Sequence, residues 1–309
     1  MASARARILV SGLLNVETSV PVEGFPVPYM PVSYPANAVR TAPSGVGLNL
    51  ACALAALGDE PRVLSLVARD GASLLVRRAL AEAGIGEGDL HECLPETPLS
   101  VVLSGPDGGR RVFCDLKAAQ DVPLPDGAAE AALAEKPALA VLCNINFSRP
   151  LLRKARAAGI PVATDLHVFS NPDDAYNAEF LRAADILFLS HEGLPCAPEA
   201  FFPALAARSP AKIIVVTQGG AGATMWERDG GRVRRFPAVR TREVANTVGA
   251  GDACLAAFVH HWAGGDPPEA ALRKAMVFAS WKIGESGGAR GFPDAATYTR
   301  LLREAGLGG

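Results

Sequence analysis

No run of this sequence is apolar for long enough to cross a membrane, so a membrane-spanning role is not expected. A basic block is missing too. Lysine and arginine number 30 against 32 acidic residues, a formal charge of -2 that gives nucleic acid little to hold. The six cysteines (52, 93, 114, 143, 196 and 254) contain no Cys-x-x-Cys pair. A disulfide framework or a zinc site is therefore not expected, and most of these thiols read as small core residues in a reduced, cytoplasmic compartment. His260 and His261 lack partners at metal-ligand spacing and read as structural or exposed. Arg5 and Arg7 before Ile8-Leu9-Val10 look superficially like a secretion signal, but the apolar run is too short and gives way to Asn15 and Glu17. Two phosphate-binding signatures are absent as well. No Gly-x-x-x-x-Gly-Lys-Ser/Thr loop occurs, and Ser11-Gly12-Leu13-Leu14-Asn15 stands where a dinucleotide-binding Gly-x-Gly-x-x-Gly would follow the first strand.

What is present is a regular alternation of short apolar segments and longer amphipathic ones across 309 residues. Strands are expected at 7–11, 62–67, 138–143, 161–164, 185–189 and 212–217. Helices are expected at 47–57, 73–83, 151–158, 178–184 and 199–207. This rhythm predicts an α/β fold, a doubly wound and mostly parallel sheet with helices on both faces. Ligands of such sheets sit at the carboxyl ends of the strands. No repeat or low-complexity linker divides the chain, so residues 1–309 read as one domain.

Two stretches break the rhythm. Residues 16–43 are rich in proline, with Val16, Val20, Val22, Phe25 and Tyr29 interspersed, and 91–115 alternate around a turn at 106–109. Together they predict a small β-element over the main sheet, acting as a lid whose apolar side could pair with a second copy in a homodimer.

The chemistry concentrates at Asn246-Thr247-Val248-Gly249-Ala250-Gly251-Asp252, followed by the apolar helical run 253–258. A helix starting at such a turn presents unpaired N–H groups and the positive end of its dipole. Gly249, Ala250 and Gly251 let an anion approach those donors, and Asp252 places a carboxylate beside it. A phosphate cradle next to a base is what phosphoryl transfer to an alcohol requires. The dipole is expected to favour the ionised carboxylate.

Three segments in order resemble the PfkB, or ribokinase-like, carbohydrate kinases: Ser44-Gly45-Val46-Gly47-Leu48-Asn49, Val215-Val216-Thr217-Gln218-Gly219-Gly220-Ala221-Gly222, and 246–252. The resemblance implies a ribokinase-like fold with a β-sheet lid and an ATP-dependent kinase using Mg²⁺. It implies that Asp252 is the catalytic base and that 249–251 form the anion hole. It assigns Thr217, Gly219, Gly222 and Thr247 to the nucleotide, and Asn15, Glu17, Gly45, Gly47, Asn49 and Asn146 to a small sugar or nucleoside.

The sequence also departs from that family at telling positions. Asn246 replaces a common Asp in a region that helps bind a monovalent cation, which leaves potassium activation open. Ser190-His191-Glu192-Gly193 stands where the family has Asn-x-x-Glu, so Glu192 is the candidate metal-side carboxylate. Val46 occupies the place of a ribokinase Lys, and His167 alters an Asp-Pro-Asn. Two alternatives stay open: a phosphosugar kinase of the phosphofructokinase-like branch, or a non-catalytic sugar- or nucleotide-binding regulator.

Overall fold

The computed structural model describes residues 6–106 and 109–308. The chain opens with β1 (Arg7–Ser11), β2 (Asn15–Pro21), β3 (Arg40–Ser44), α1 (Val46–Ala56), β4 (Glu60–Val67) and α2 (Gly71–Glu82). It continues through β5 (Leu90–Glu92), β6 (Leu99–Ser104), β7 (Arg110–Asp115), α3 (Ala128–Ala134), β8 (Leu139–Leu142) and α4 (Arg149–Ala157). Next come β9 (Val162–Val168), α5 (Ala178–Ala183), β10 (Ile186–Ser190), α6 (Pro198–Ala206) and β11 (Ile213–Thr217). A hairpin of β12 (Ala223–Glu227) and β13 (Arg232–Phe236) precedes α7 (Ala250–Ala263), α8 (Pro268–Lys282) and α9 (Ala295–Glu304).

The main sheet has nine strands in the order β13-β12-β11-β10-β9-β8-β1-β4-β5, parallel except at the β12–β13 edge. Its strands β1, β8, β10 and β11 are near-continuous runs of buried apolar residues, as expected where helices cover both faces. Strand order reverses around β1, which lies between β8 and β4. The carboxyl ends of β1, β9, β10 and β11 therefore open onto one crevice.

A second sheet of four strands, β3-β2-β6-β7, forms the small β-element. Its make-up differs from the expected spans. β5 leaves it and joins the edge of the main sheet beside β4, so only β6 and β7 of the 91–115 stretch belong to it. Asp107 and Gly108 of the expected turn lie outside the described residues. Val16, expected on an exposed face, is buried with Leu14 and Leu48, whereas Phe25 and Tyr29 are exposed.

Three of the six cysteines, Cys52, Cys143 and Cys254, are buried as expected, but Cys93, Cys114 and Cys196 are exposed. His260 shares a hydrogen bond with Asp59 at 2.8 Å, and His261 shares one with Tyr298 at 2.8 Å.

The helix that carries the candidate residues Ala250, Gly251 and Asp252 is α7. Its Ala-rich core favours helix, and it is buried on nearly every side between α1, α8 and the sheet. Phe258 meets Phe188 of β10 edge to face, with ring centroids 5.3 Å apart. Truncating such a buried Phe costs about 3–5 kcal/mol, so the start of α7 is rigidly placed.

Candidate active site

The site assembles at the N-terminus of α7. Gly249 caps the helix in the left-handed region at φ 75°, and a Cβ there would come within 2.8 Å of the Gly288 carbonyl. Gly251 is different: a Cβ would meet only Asp165 Oδ2, at 3.8 Å, so its small size leaves open space rather than relieving a clash. The two glycines therefore serve separate needs, one of chain geometry and one of approach.

The expected trio of free amides is altered. The Ala250 N–H donates to the Thr247 carbonyl at 3.2 Å and is spent, and the Ala253 N–H donates to Gly249 O as in any helix. Among the described residues, the Gly251 and Asp252 amides carry no partner. The Gly249 amide has no partner among them either, so one of the three expected donors is spent and the Asp252 amide adds another.

Asp252 is buried, and its Oδ2 accepts from Asn49 Nδ2 of α1 at 2.7 Å. Burial pushes its pKa up, and neighbouring Asp165 adds to the rise, while His167, the Asn49 bond and Lys282 pull it back down. The helix dipole was expected to favour ionisation, but loss of water outweighs it here.

The candidate sugar shell faces the same region. Asn15 begins β2, donates through Nδ2 to Ser100 Oγ at 3.0 Å, and leaves its buried Oδ1 without a partner. The Asn49 Oδ1 is likewise buried and unpartnered. Glu17, two residues along the same face of β2, accepts from Ser44 Oγ at 3.3 Å. Burial raises its pKa, with Ser44 and Lys282 opposing and Asp252 reinforcing the shift. Gly45 and Gly47 let the start of α1 press on the β1–β2 turn: a Cβ at 45 would lie 2.4 Å from Leu13 O, and one at 47 would lie 2.7 Å from Gly12 O.

Asn146 does not join this shell through a free amide. Its Nδ2 donates to the Gln120 carbonyl at 2.8 Å and its Oδ1 accepts from Arg149 at 2.9 Å, so both ends of the side chain brace the local turn.

On the nucleotide side, Thr217 ends β11 and its carbonyl holds His191 Nδ1 at 3.1 Å. Gly219 and Gly222 shape the following turn, at φ 53° and 101°. Gly222 has a packing reason as well, because a Cβ would overlap the Phe236 carbonyl. Thr247 Oγ1 accepts from Arg110 Nη1 at 2.7 Å, a contact from β7 of the small sheet. Arg110 also lies 3.6 Å from Glu192.

Glu192 is half-exposed, and no cluster of three potential metal ligands occurs among the described residues. That donor set fits a magnesium ion carried by nucleotide phosphates and water with at most one protein carboxylate.

Sequence reasoning missed three contributors. Arg110, Lys282 and His167 carry no assigned site role in the sequence pattern, yet each is tied to this region by a hydrogen bond or by its charge. His167 sits at φ 56°, uncommon without glycine though less so for His. Its N–H donates to Asp165 Oδ1 at 2.8 Å. Lys282 and His167, both far from Asp252 in sequence, oppose the rise of its pKa.

Comparison with known proteins shows the family and the fold. Residues 5–295 match the family model described as pfkB family carbohydrate kinase. The chain is 28% identical to acarbose 7(IV)-phosphotransferase of Actinoplanes sp., over 90% of this chain and 92% of that protein. It is 27% identical to the ATP-dependent ribose-1-phosphate kinase of Halopiger xanaduensis, over 96% and 98% of the two chains. A microbiome-derived acarbose kinase superposes with a TM-score of 0.84 at 27% identity, covering 97% of this chain and all of that one. Arabidopsis thaliana ribokinase, solved with ribose and ATP, shares the fold at a TM-score of 0.80 and 22% identity, over 97% and 99% of the chains. The chain belongs to the PfkB family of carbohydrate kinases, as an ATP-dependent kinase.

Proposed function

We propose that this kinase transfers the γ-phosphate of ATP to a hydroxyl of an uncharged sugar or nucleoside, with Asp252 as general base. The observation that carries this reading is a buried, Asn49-held Asp252 together with two buried, unpartnered side-chain amide oxygens, those of Asn15 and Asn49. A buried acceptor without a donor is costly, and the hydroxyls of a polyol supply donors.

In this mechanism the acceptor hydroxyl lies between Asp252 and the terminal phosphate. Asp252 takes its proton as the oxygen attacks in line, and the Gly251 and Asp252 amides meet the charge on the phosphoryl group. The upward pKa shift of Asp252 makes it a stronger base than a surface aspartate. Lys282, His167 and Asn49 oppose that rise and favour the carboxylate form that acts as base. Bound Mg²⁺ would neutralise charge on the phosphates, with Glu192 the protein group available to it. The small sheet closes over the crevice as a lid and excludes water, which would otherwise accept the phosphate.

Glu17 and Asp252 make the acceptor side acidic, and Arg110 is committed to Thr247 and Glu192. Both features favour a neutral acceptor over a sugar phosphate. ADP release measured against ribose, ribose 1-phosphate, nucleosides and an acarbose-type oligosaccharide tests this. Turnover only with the phosphosugar would refute the neutral-acceptor reading, and no turnover with any would favour a regulator. The exposed Phe25, Val27, Tyr29, Met30 and Tyr34 on the outer loop of the lid support a homodimer through that face. A monomeric mass by light scattering at micromolar concentration would refute it.

A further inference from the structure

Lys282 is the only lysine or arginine that is fully buried among the described residues, with none of its surface exposed. It forms no ion pair within 4 Å among those residues. Its ammonium instead donates to the carbonyl of Val248, in the loop that leads into α7. A buried ammonium is expensive unless its surroundings compensate it. Here Asp252 on α7, Glu17 on β2 and Glu285 beyond α8 face it with negative charge, and only Arg242 opposes.

The same corner of α8 grips the loop at a second point. The Ile283 carbonyl accepts the Ala245 and Asn246 N–H groups at 2.8 and 3.0 Å. Between those anchors, Asn246 Oδ1 accepts the Val248 N–H at 2.7 Å. The Val248 peptide is thus held through its N–H by Asn246 and through its C=O by Lys282. Val248 leads directly into Gly249 and the unpartnered amides at 249, 251 and 252.

We propose that Lys282 is a built-in cation that positions the phosphate cradle and takes the place of a mobile monovalent ion at the Val248 carbonyl. The inference rests on the phosphotransfer reading above. Removing the ammonium frees the carbonyl end of the peptide, lets the cradle amides drift, and takes a positive charge from beside Asp252. The protein as it stands then needs no added potassium. Burial lowers the pKa of Lys282 to about 8, with Asp252, Glu17 and Glu285 opposing the fall, so the charge is present at neutral pH and is lost in mildly alkaline solution.

The test compares wild type, Lys282→Met and Lys282→Ala. Each is assayed for folding by circular dichroism, for thermal stabilisation by a non-hydrolysable ATP analogue relative to adenosine, and for turnover on the best acceptor from the panel. Wild-type turnover is expected to be the same in potassium and in tetramethylammonium buffers. Lys282→Met is expected to fold, because it removes a buried charge while keeping the length of the side chain. Its kcat falls on the order of 10²-fold, the size seen when one preorganised electrostatic contact is lost, with KM for the acceptor little changed. The extra stabilisation given by the triphosphate analogue over adenosine shrinks with it. Lys282→Ala regains at least about tenfold of its lost kcat with ethylammonium but not with tetramethylammonium at equal ionic strength, a response no purely structural residue would give. The wild-type rate falls above pH 8, and this alkaline limb is missing from Lys282→Met. A wild type that strictly requires potassium would overturn the inference, as would a Lys282→Met enzyme with turnover and analogue response equal to wild type. A wild type that the analogue fails to stabilise would overturn the phosphotransfer reading itself, so the two failures are told apart.

Discussion

Replacing Asp252 by Asn should produce a kinase that is nearly inactive yet at least as stable as the parent. The substitution keeps the shape of the side chain, and the new amide oxygen can still accept from Asn49 Nδ2, which now stands 2.7 Å from Oδ2. What disappears is the proton acceptor. Loss of a general base costs roughly 10²–10⁴-fold in kcat, equivalent to about 2.7–5.4 kcal/mol of transition-state stabilisation at about 1.36 kcal/mol per decade. The stability effect has the opposite sign. Burial raises the folded-state pKa of Asp252, so the folded protein holds the proton more tightly than the unfolded chain does. Ionising it near pH 7 therefore works against folding, and a neutral amide avoids that cost. Lys282 loses an opposite charge in exchange, which trims the gain. Below the ordinary aspartate range both states are protonated, and the difference in stability between the two proteins should fade. The assay is a pair of measurements on one preparation: ADP release under saturating substrates, and melting temperature from pH 4 to pH 8. Turnover within tenfold of wild type would remove Asp252 from the chemistry. A melting temperature that drops at pH 7 by more than about 2 °C, roughly 1 kcal/mol or more for a chain of this length, would show that the carboxylate supports the fold and that the burial argument is wrong.

Three further outcomes follow from the same geometry. Gly251→Val should fold normally, since only Asp165 Oδ2 lies near the new Cβ, but should weaken ATP binding by crowding the free amides. Gly249→Ala should lose about 1–3 kcal/mol in denaturant titration, because it faces both φ 75° and the Gly288 carbonyl. Arg110→Ala should lower kcat several-fold while changing stability by less than about 1 kcal/mol, the usual worth of an exposed ion pair; unchanged kinetics would make the Thr247 contact incidental. The pH profile of kcat/KM should fall on the acid side at a pH above the ordinary aspartate range, because Asp252 must be ionised to act and burial raises its pKa; an acid limb at the usual position would refute that link.

Much of this was legible in the chain because the informative residues are neighbours. Residues 246–252 hold cap, cradle and carboxylate within seven positions, and the alternation of elements gave the main sheet. Contributions from far away were not legible. Arg110 meets Thr247 across 137 positions, and Asn49 meets Asp252 across 203. Lys282 reads as an ordinary basic residue in the last turn of a helix, and only packing shows that it points inward. The β12–β13 hairpin went unread although Asp229-Gly230-Gly231 marks its turn, because its flanking segments are short and β13 is rich in arginine. Asn146 shows the converse, since a polar residue near a strand end looks free to bind until its partners Gln120 and Arg149 are counted.

β1 and β2 are separated by three residues, Gly12, Leu13 and Leu14. The strand at the heart of the large sheet thus continues almost directly into the small one, and Asn15 and Glu17 stand just beyond the join. If the small sheet swings as a unit, these two side chains travel with it. A candidate acceptor would then be judged at the moment the enzyme shuts: a compound that cannot engage both would leave the hinge ajar, and it would be rejected through slow commitment more than through poor affinity.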